Sequence, residues 1–202
     1  MSREIPTRAR VNWCRIADAV EFYERHGFVY VETPWRVHDD VVTATKPPEA
    51  VPFRCRFDDA TRPDVLVGSA EQGLLSIATQ LRPNGLYVSV SPCFRDNEVD
   101  ELHFSDFVKV ELMVWEPKIL MLSVYKLLNQ AEALAQANDL DVECIETDGN
   151  GSFDLMAGGI EIGSYGWRRA TIDGIERTWV YGTGLAEPRF SQALARQHRT
   201  KA

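Results

Sequence analysis

The chain has no apolar run long enough to cross a membrane, no apolar leader at its start and no Cys-x-x-Cys pair. A helical span needs about 20 consecutive apolar residues, so no membrane-spanning helix is expected. The opening Met1-Ser2-Arg3-Glu4-Ile5-Pro6 carries none of the apolar stretch of a secretory signal. Cys14, Cys55, Cys93 and Cys144 are widely scattered, which argues against a zinc knuckle or a redox pair. They read as free, buried thiols of a reducing, cytoplasmic compartment. Net positive charge is also missing. The formal charge is −8, which argues against a broad nucleic-acid surface. Arg3, Arg8, Arg10 and Arg15 near the start, and Arg196, Arg199 and Lys201 near the end, read as solvated termini or as a small contact for an acidic partner. There are no repeats, low-complexity segments or linkers. The 202 residues, 45% hydrophobic and 26% charged, fit one globular domain, 1–202.

What is present is organised around residues 86–115. Leu86-Tyr87-Val88-Ser89-Val90 is β-rich, and Pro92 predicts that this strand ends, bulges or lies at an edge there. Phe107 to Trp115 alternates. Val108, Val110, Leu112 and Val114 share one face, expected to be core. Phe107, Lys109, Glu111, Met113 and Trp115 share the other, and they set an aromatic, a cation and an anion in line, as on the floor of a polar cleft. Arg95 enters the intervening loop, where a planar guanidinium suits bidentate phosphate binding.

Upstream, Trp13, Ile16, Ala17, Val20 and Tyr23 predict a helix over about 11–25, closed by Gly27. A strand is expected over 28–33, stopped by Pro34. Residues 43–63 read as irregular, a loop over the cleft. Val65-Leu66-Val67 is a short strand, and Ser69 with Gln72 forms a capping-box pattern before a helix. Pro83-Asn84-Gly85 is a turn. A helix with one apolar stripe is expected over about 119–137, and a strand near 142–145.

Downstream, Phe153-Asp154-Leu155-Met156 and Ile160-Glu161-Ile162-Gly163 flank Ala157-Gly158-Gly159. A turn centred between Ala157 and Gly158 would set Asp154 opposite Glu161 on one face. Two such carboxylates repel unless a proton or a cation joins them, and oxygen ligands without His or Cys suit Mg²⁺ bridged to phosphate. Asp173-Gly174 predicts a second hairpin turn. Gly182-Thr183-Gly184-Leu185-Ala186-Glu187-Pro188-Arg189 leads into a helical tail, and its glycines would let backbone approach a nucleotide closely.

These stretches together resemble the class II aminoacyl-tRNA synthetases, nearest to the aspartyl, asparaginyl and lysyl subgroup, over about 11–197. Phe94-Arg95, His103, Phe107 and Glu111 fall at the places of motif 2. Asp154, Glu161, Ser164 and Arg168 reproduce a further spacing of that subgroup, and Gly182 to Arg189 resembles motif 3. The first helix and strand resemble motif 1, which builds the dimer interface. The resemblance implies an α+β fold, an antiparallel β-sheet flanked by helices. It implies ATP held by Arg95, Phe107, Glu98, Gly184 and Arg189, with Arg95 and Arg189 catalytic. It implies Mg²⁺ on Asp154 and Glu161, and an amino acid held by Glu71, Glu111, Ser164 and Arg168. Asn97, Ala186 and Glu187 depart from the family pattern.

The first helix is expected to begin within the first dozen residues, so the family's anticodon-binding barrel is not expected ahead of it. The expected function is therefore ATP- and Mg²⁺-dependent activation of an amino acid by a homodimer, aspartate first and asparagine or an analogue second. The acyl group would pass to a small molecule, a protein carrier or an RNA end. A binding or regulatory module that lost catalysis is the alternative. A third reading is a true synthetase working with a separate tRNA-binding protein.

Overall fold

The computed structural model describes residues 11–46, 51–57, 59, 61–96, 100–172 and 174–201. Helix α1 spans Trp13–Arg25 and is capped by Asn12, whose side chain accepts from the Arg15 amide. Strands β1 (Val29–Tyr30) and β2 (Arg36–Val37) and helix α2 (Asp39–Thr43) follow. Then come β3 (Val65–Leu66), α3 (Ala70–Ser76), β4 (Leu86–Phe94), β5 (Asp106–Trp115) and α4 (Leu120–Ala137). The chain closes with β6 (Glu143–Glu146), β7 (Phe153–Ala157), β8 (Ile160–Ile172), β9 (Ile175–Glu187) and α5 (Arg189–Lys201).

Seven strands form one sheet in the order β1-β4-β5-β9-β8-β7-β6. All its pairings are antiparallel except β1 with β4. The α+β expectation holds. The alternation of β5 divides the two faces as expected. Val108, Val110, Leu112 and Val114 are buried in one core with Tyr23 of α1, Val124 and Leu127 of α4, and Phe190 of α5. Each fully buried Leu or Val there is worth roughly 1.5–3 kcal/mol. Met113, Trp115 and Trp179 pack on the opposite face against Leu74 and Leu75 of α3. β2 and β3 form a separate two-stranded sheet.

Several expectations change in detail. The predicted strand over 28–33 is only Val29–Tyr30. Of the three outcomes expected at Pro92 the edge position holds: Pro92 lies inside β4, opposite Val108, and does not end it. The amide of Phe94 turns away from β5 to the Val67 carbonyl, so by alternation the missing N–H of Pro92 falls on that same outer side, beyond the short β1. The β7–β8 turn is Gly158-Gly159, both at positive φ (56° and 77°). Ala157 therefore pairs with Ile160, and Met156, not Asp154, lies opposite Glu161. Past a bulge, in which Ile162 is the extra residue, Asp154 pairs with Ser164. Gly174 turns the second hairpin, while Asp173 lies outside the described residues. Of the four free cysteines only Cys93 is buried; Cys14 and Cys144 are exposed.

Candidate active site

A cavity of about 360 Å³ lies on the sheet face turned away from α1, α4 and α5. It gathers Glu71, Arg95, Phe107, Glu161, Ser164, Arg168 and Arg189 from the expected set, and adds Thr45, Lys109, Tyr181, Thr183 and Ala186. Thr45 and Lys46, with Val51 and Pro52, place parts of the irregular 43–63 stretch against it. Glu98 and Asn97 lie outside the described residues.

At one end Arg95 leaves β4, and its Nε donates to the Gly68 carbonyl at 2.8 Å. Its guanidinium covers the Phe107 ring, 5.1 Å from the centroid. Arg189, at the start of α5, donates from Nε to the Leu102 carbonyl (3.1 Å) and from Nη1 to Glu161 Oε1 (3.3 Å). This fastens the loop after β4 to the β8 hairpin.

At the other end α3 supplies Glu71. Ser69 caps the helix and Gln72 accepts from the Gly68 amide, a variant of the expected capping box that reaches one residue further back. The Glu71 side chain is almost fully buried. Its Oε2 pairs with Arg168 Nη1 at 2.8 Å, and its Oε1 accepts from Trp179 Nε1 at 2.6 Å. Burial pushes the Glu71 carboxyl above its usual range, against the pull of Arg168. Arg168 also donates to the Thr45 carbonyl and lies over the Tyr181 ring at 4.4 Å. The bulge at Ile162 accounts for Arg168 sharing a face with Glu161 despite a separation of seven residues.

Three expected residues stand elsewhere. Gly184 faces the core, not the cavity: a Cβ there would meet Tyr23 Cε2 at 2.8 Å, and Tyr23 Oη donates to the Gly184 carbonyl. The glycine admits α1, because Gly184 is the extra residue at a bulge between β9 and β5, where Val110 pairs with Leu185 but Glu111 with Thr183. Glu111 has a fully buried side chain behind the cavity floor, bonded to Lys109 and to Ser69 Oγ (2.6 Å). Asp154 is one strand further out and does not line the cavity.

The Asp154 carboxyl is pushed up by burial and by the charge of Glu161, and drawn down by a hydrogen bond from Ser164. Among the described residues no set of three or more His, Cys, Asp and Glu forms a metal cage. The pair nonetheless fits Mg²⁺, which takes one or two carboxylates and completes its shell with water and phosphate oxygen. Replacing Glu161 by Gln removes the neighbouring charge. The Asp154 titration midpoint, read by carbon-13 NMR of the side-chain carboxyl, is then expected to fall. An unmoved midpoint would show that the two carboxylates do not interact. The raised pKa makes folded Asp154 bind its proton more tightly than the unfolded chain does. Its contribution therefore opposes folding as pH rises from the ordinary carboxylate range through the raised value.

Two further residues escaped sequence reading. Glu187 is fully buried, and its Oε1 pairs with Arg15 Nη1 (3.1 Å) and accepts from Ser191 Oγ (2.8 Å). Arg15, read as a solvated terminal cation, instead ties α1 to the strand end that presents Arg189. Lys109 was legible as a cavity-facing cation in the β5 alternation, but its spacing alone gave it no task.

The fold is that of the catalytic core of class II aminoacyl-tRNA synthetases. The seryl-tRNA synthetase of Pyrococcus horikoshii, complexed with ATP, superposes with a TM-score of 0.69 at 21% identity, over 91% of this chain and 49% of that one. The cytoplasmic serine-tRNA ligase of Naegleria fowleri, in complex with AMP, gives 0.67 at 14% identity, over 87% and 51%. The pyrrolysyl-tRNA synthetase PylSc of Desulfitobacterium hafniense gives 0.66 at 14% identity, over 93% and 70%. The chain thus spans about half the length of the two seryl enzymes. No protein-family model matches it, and no curated protein matches it in sequence.

Proposed function

We propose that this protein activates an amino acid with ATP, forming an aminoacyl-adenylate and pyrophosphate, and passes the acyl group to an acceptor such as a small molecule, a protein carrier or an RNA end. The observation that carries this reading is one cavity in which Arg95, Phe107, Glu161 and Arg189 stand at one end and Glu71 and Arg168 at the other. The domain over 1–202 is read as a minimal catalytic core.

The reaction is in-line attack by the substrate carboxylate on the α-phosphorus. A new O–P bond forms, and the bridging P–O bond breaks with its electrons leaving on pyrophosphate. No proton need move, so positioning and charge neutralisation dominate. Arg95 turns from the Phe107 ring to the α-phosphate, which frees that ring for adenine. Arg189 exchanges Glu161 for the triphosphate tail. Mg²⁺ held by Glu161 and Asp154 would neutralise that tail. Glu71 receives the α-ammonium on the lone pairs that Arg168 and Trp179 leave.

A guanidinium at Arg168 without an anion of its own would favour an aspartate side chain. Glu71 already supplies one. An aspartate side chain would part that pair and leave Glu71 buried beside a second negative charge. An uncharged polar side chain, such as that of asparagine, meets no such penalty, so we place asparagine and similar neutral amino acids ahead of aspartate. Pyrophosphate exchange into ATP, run with each of the twenty amino acids, tests both points. No exchange with any of them would overturn the activation reading. Aspartate preferred over all neutral amino acids would overturn the selectivity. The closed Glu71–Arg168 pair also favours a second reading, a binding module without catalysis, and the same assay separates the two.

The functional unit is read as a homodimer. Trp13 on α1 and Val29 and Tyr30 on the edge strand β1 are exposed apolar residues on adjoining elements. Light scattering should give twice the chain mass of 22.9 kDa, and Trp13→Glu with Tyr30→Glu should halve it. A wild-type mass of 22.9 kDa would end this proposal.

A further inference from the structure

We infer that Lys109 is a catalytic cation that touches the α-phosphate at the point of attack; this rests on the adenylate-forming reading above. β5 sets Phe107, Lys109 and Glu111 on the cavity face in steps of roughly 6.7 Å. Phe107, under the Arg95 guanidinium, marks the nucleotide end. Glu111 bonds Ser69, which caps α3 two residues before Glu71, so it marks the amino-acid end. Lys109 stands between the two, where carboxylate and phosphorus must meet.

Its surroundings suit that task. In the register its neighbours are Ser91 on β4 and Ala186 on β9. Both side chains are short, so a slot is left above the ammonium. The Lys109 side chain is 12% exposed and lines the cavity. Among the described residues its ammonium bonds one carboxylate, that of Glu111, at 2.9 Å and 3.2 Å. An ammonium has three donors, so capacity remains toward the slot. Glu111, fully buried and bonded to Ser69, holds Lys109 in place before any ligand arrives.

The chemistry needs such a group. An anionic carboxylate approaches an anionic phosphoryl, and negative charge grows on the phosphoryl oxygens as the bridging bond breaks. Lys109 stays an ammonium throughout and neither gives nor takes a proton.

The test uses the purified full chain, calorimetric titration with AMP and with adenosine, and pyrophosphate exchange. Wild type should bind AMP more tightly than adenosine. Lys109→Met should reduce AMP affinity at least about tenfold and adenosine affinity less than twofold, and lower exchange kcat about 100-fold with a smaller change in the KM for ATP. Lys109→Arg should keep most of the AMP preference. Should Lys109→Met fold poorly, with Glu111 left unpaired, Lys109→Met/Glu111→Gln restores charge balance and serves for the same titration. A folded variant with an unchanged AMP-to-adenosine ratio overturns the inference, and so does a wild type without AMP preference. A Lys109-dependent AMP preference in a protein that exchanges with no amino acid upholds the phosphate contact and rejects adenylation. Exchange that needs Arg95 but is indifferent to Lys109 does the reverse.

Discussion

Replacing Arg95 by alanine is expected to lower amino-acid-dependent pyrophosphate exchange by about 10²–10³-fold, the usual effect of removing one donor from developing charge. The fold should barely notice. Arg95 contributes a hydrogen bond to the Gly68 carbonyl and a contact with the Phe107 ring, and its side chain is exposed. The hydrogen bond accounts for roughly 1 kcal/mol. The thermal midpoint should therefore move only a few degrees while activity collapses. A variant that loses structure along with activity, or keeps both, would remove Arg95 from the chemistry.

Arg168→Ala should act in the opposite sense, on stability first. Glu71 would remain buried with one hydrogen bond from Trp179 and without the cation paired to it. Breaking a buried pair by removing one partner costs about 3–5 kcal/mol; because Arg168 is about one-third exposed, the low end, about 3 kcal/mol, is expected. For a chain of this size that corresponds to a fall of roughly 6–12 °C in Tm. The double variant Glu71→Gln/Arg168→Met removes both charges and should recover much of the loss, which a double-mutant cycle in thermal unfolding would show. A single variant as stable as wild type would mean that the pair carries no weight in the folded protein.

Both expectations rest on contacts between residues far apart in the chain, and that is where sequence reading reached its limit. The alternation of Val108, Val110, Leu112 and Val114 marked the buried face of β5, because a half-buried strand writes its pattern locally. The helix over 119–137 was legible for the same reason, its apolar stripe repeating at helical spacing. The motif spacings brought Arg95, Phe107, Glu161, Ser164, Arg168 and Arg189 to one cavity. Nothing local announces that Glu71 meets Arg168, 97 positions away, or that Arg15 meets Glu187, 172 positions away. Gly184 was misplaced because a glycine beside a cavity-lining threonine looks the same from sequence whichever way its missing side chain would point. The helix packed against it, through Tyr23, decides that.

Ile162 on β8 and Gly184 on β9 are both extra residues, yet between Tyr165↔Gly182 and Ile172↔Ile175 the two strands run in unbroken register. Beyond both bulges the hairpin pairs residue for residue with its neighbours, Asp154 with Ser164 on one border and Glu111 with Thr183 on the other. Each extra residue is therefore surplus to the ladder. Losing Ile162 or Gly184 would close a regular pairing and take away a local bend, while Arg168 and Tyr181 stayed on the cavity side. A one-residue loss inside 165–172 or 175–182 has no such slack and would shift the pairing there, turning the displaced side chains to the opposite face. The bulges are thus the places on these strands where the chain can shorten by a single residue without turning the site over.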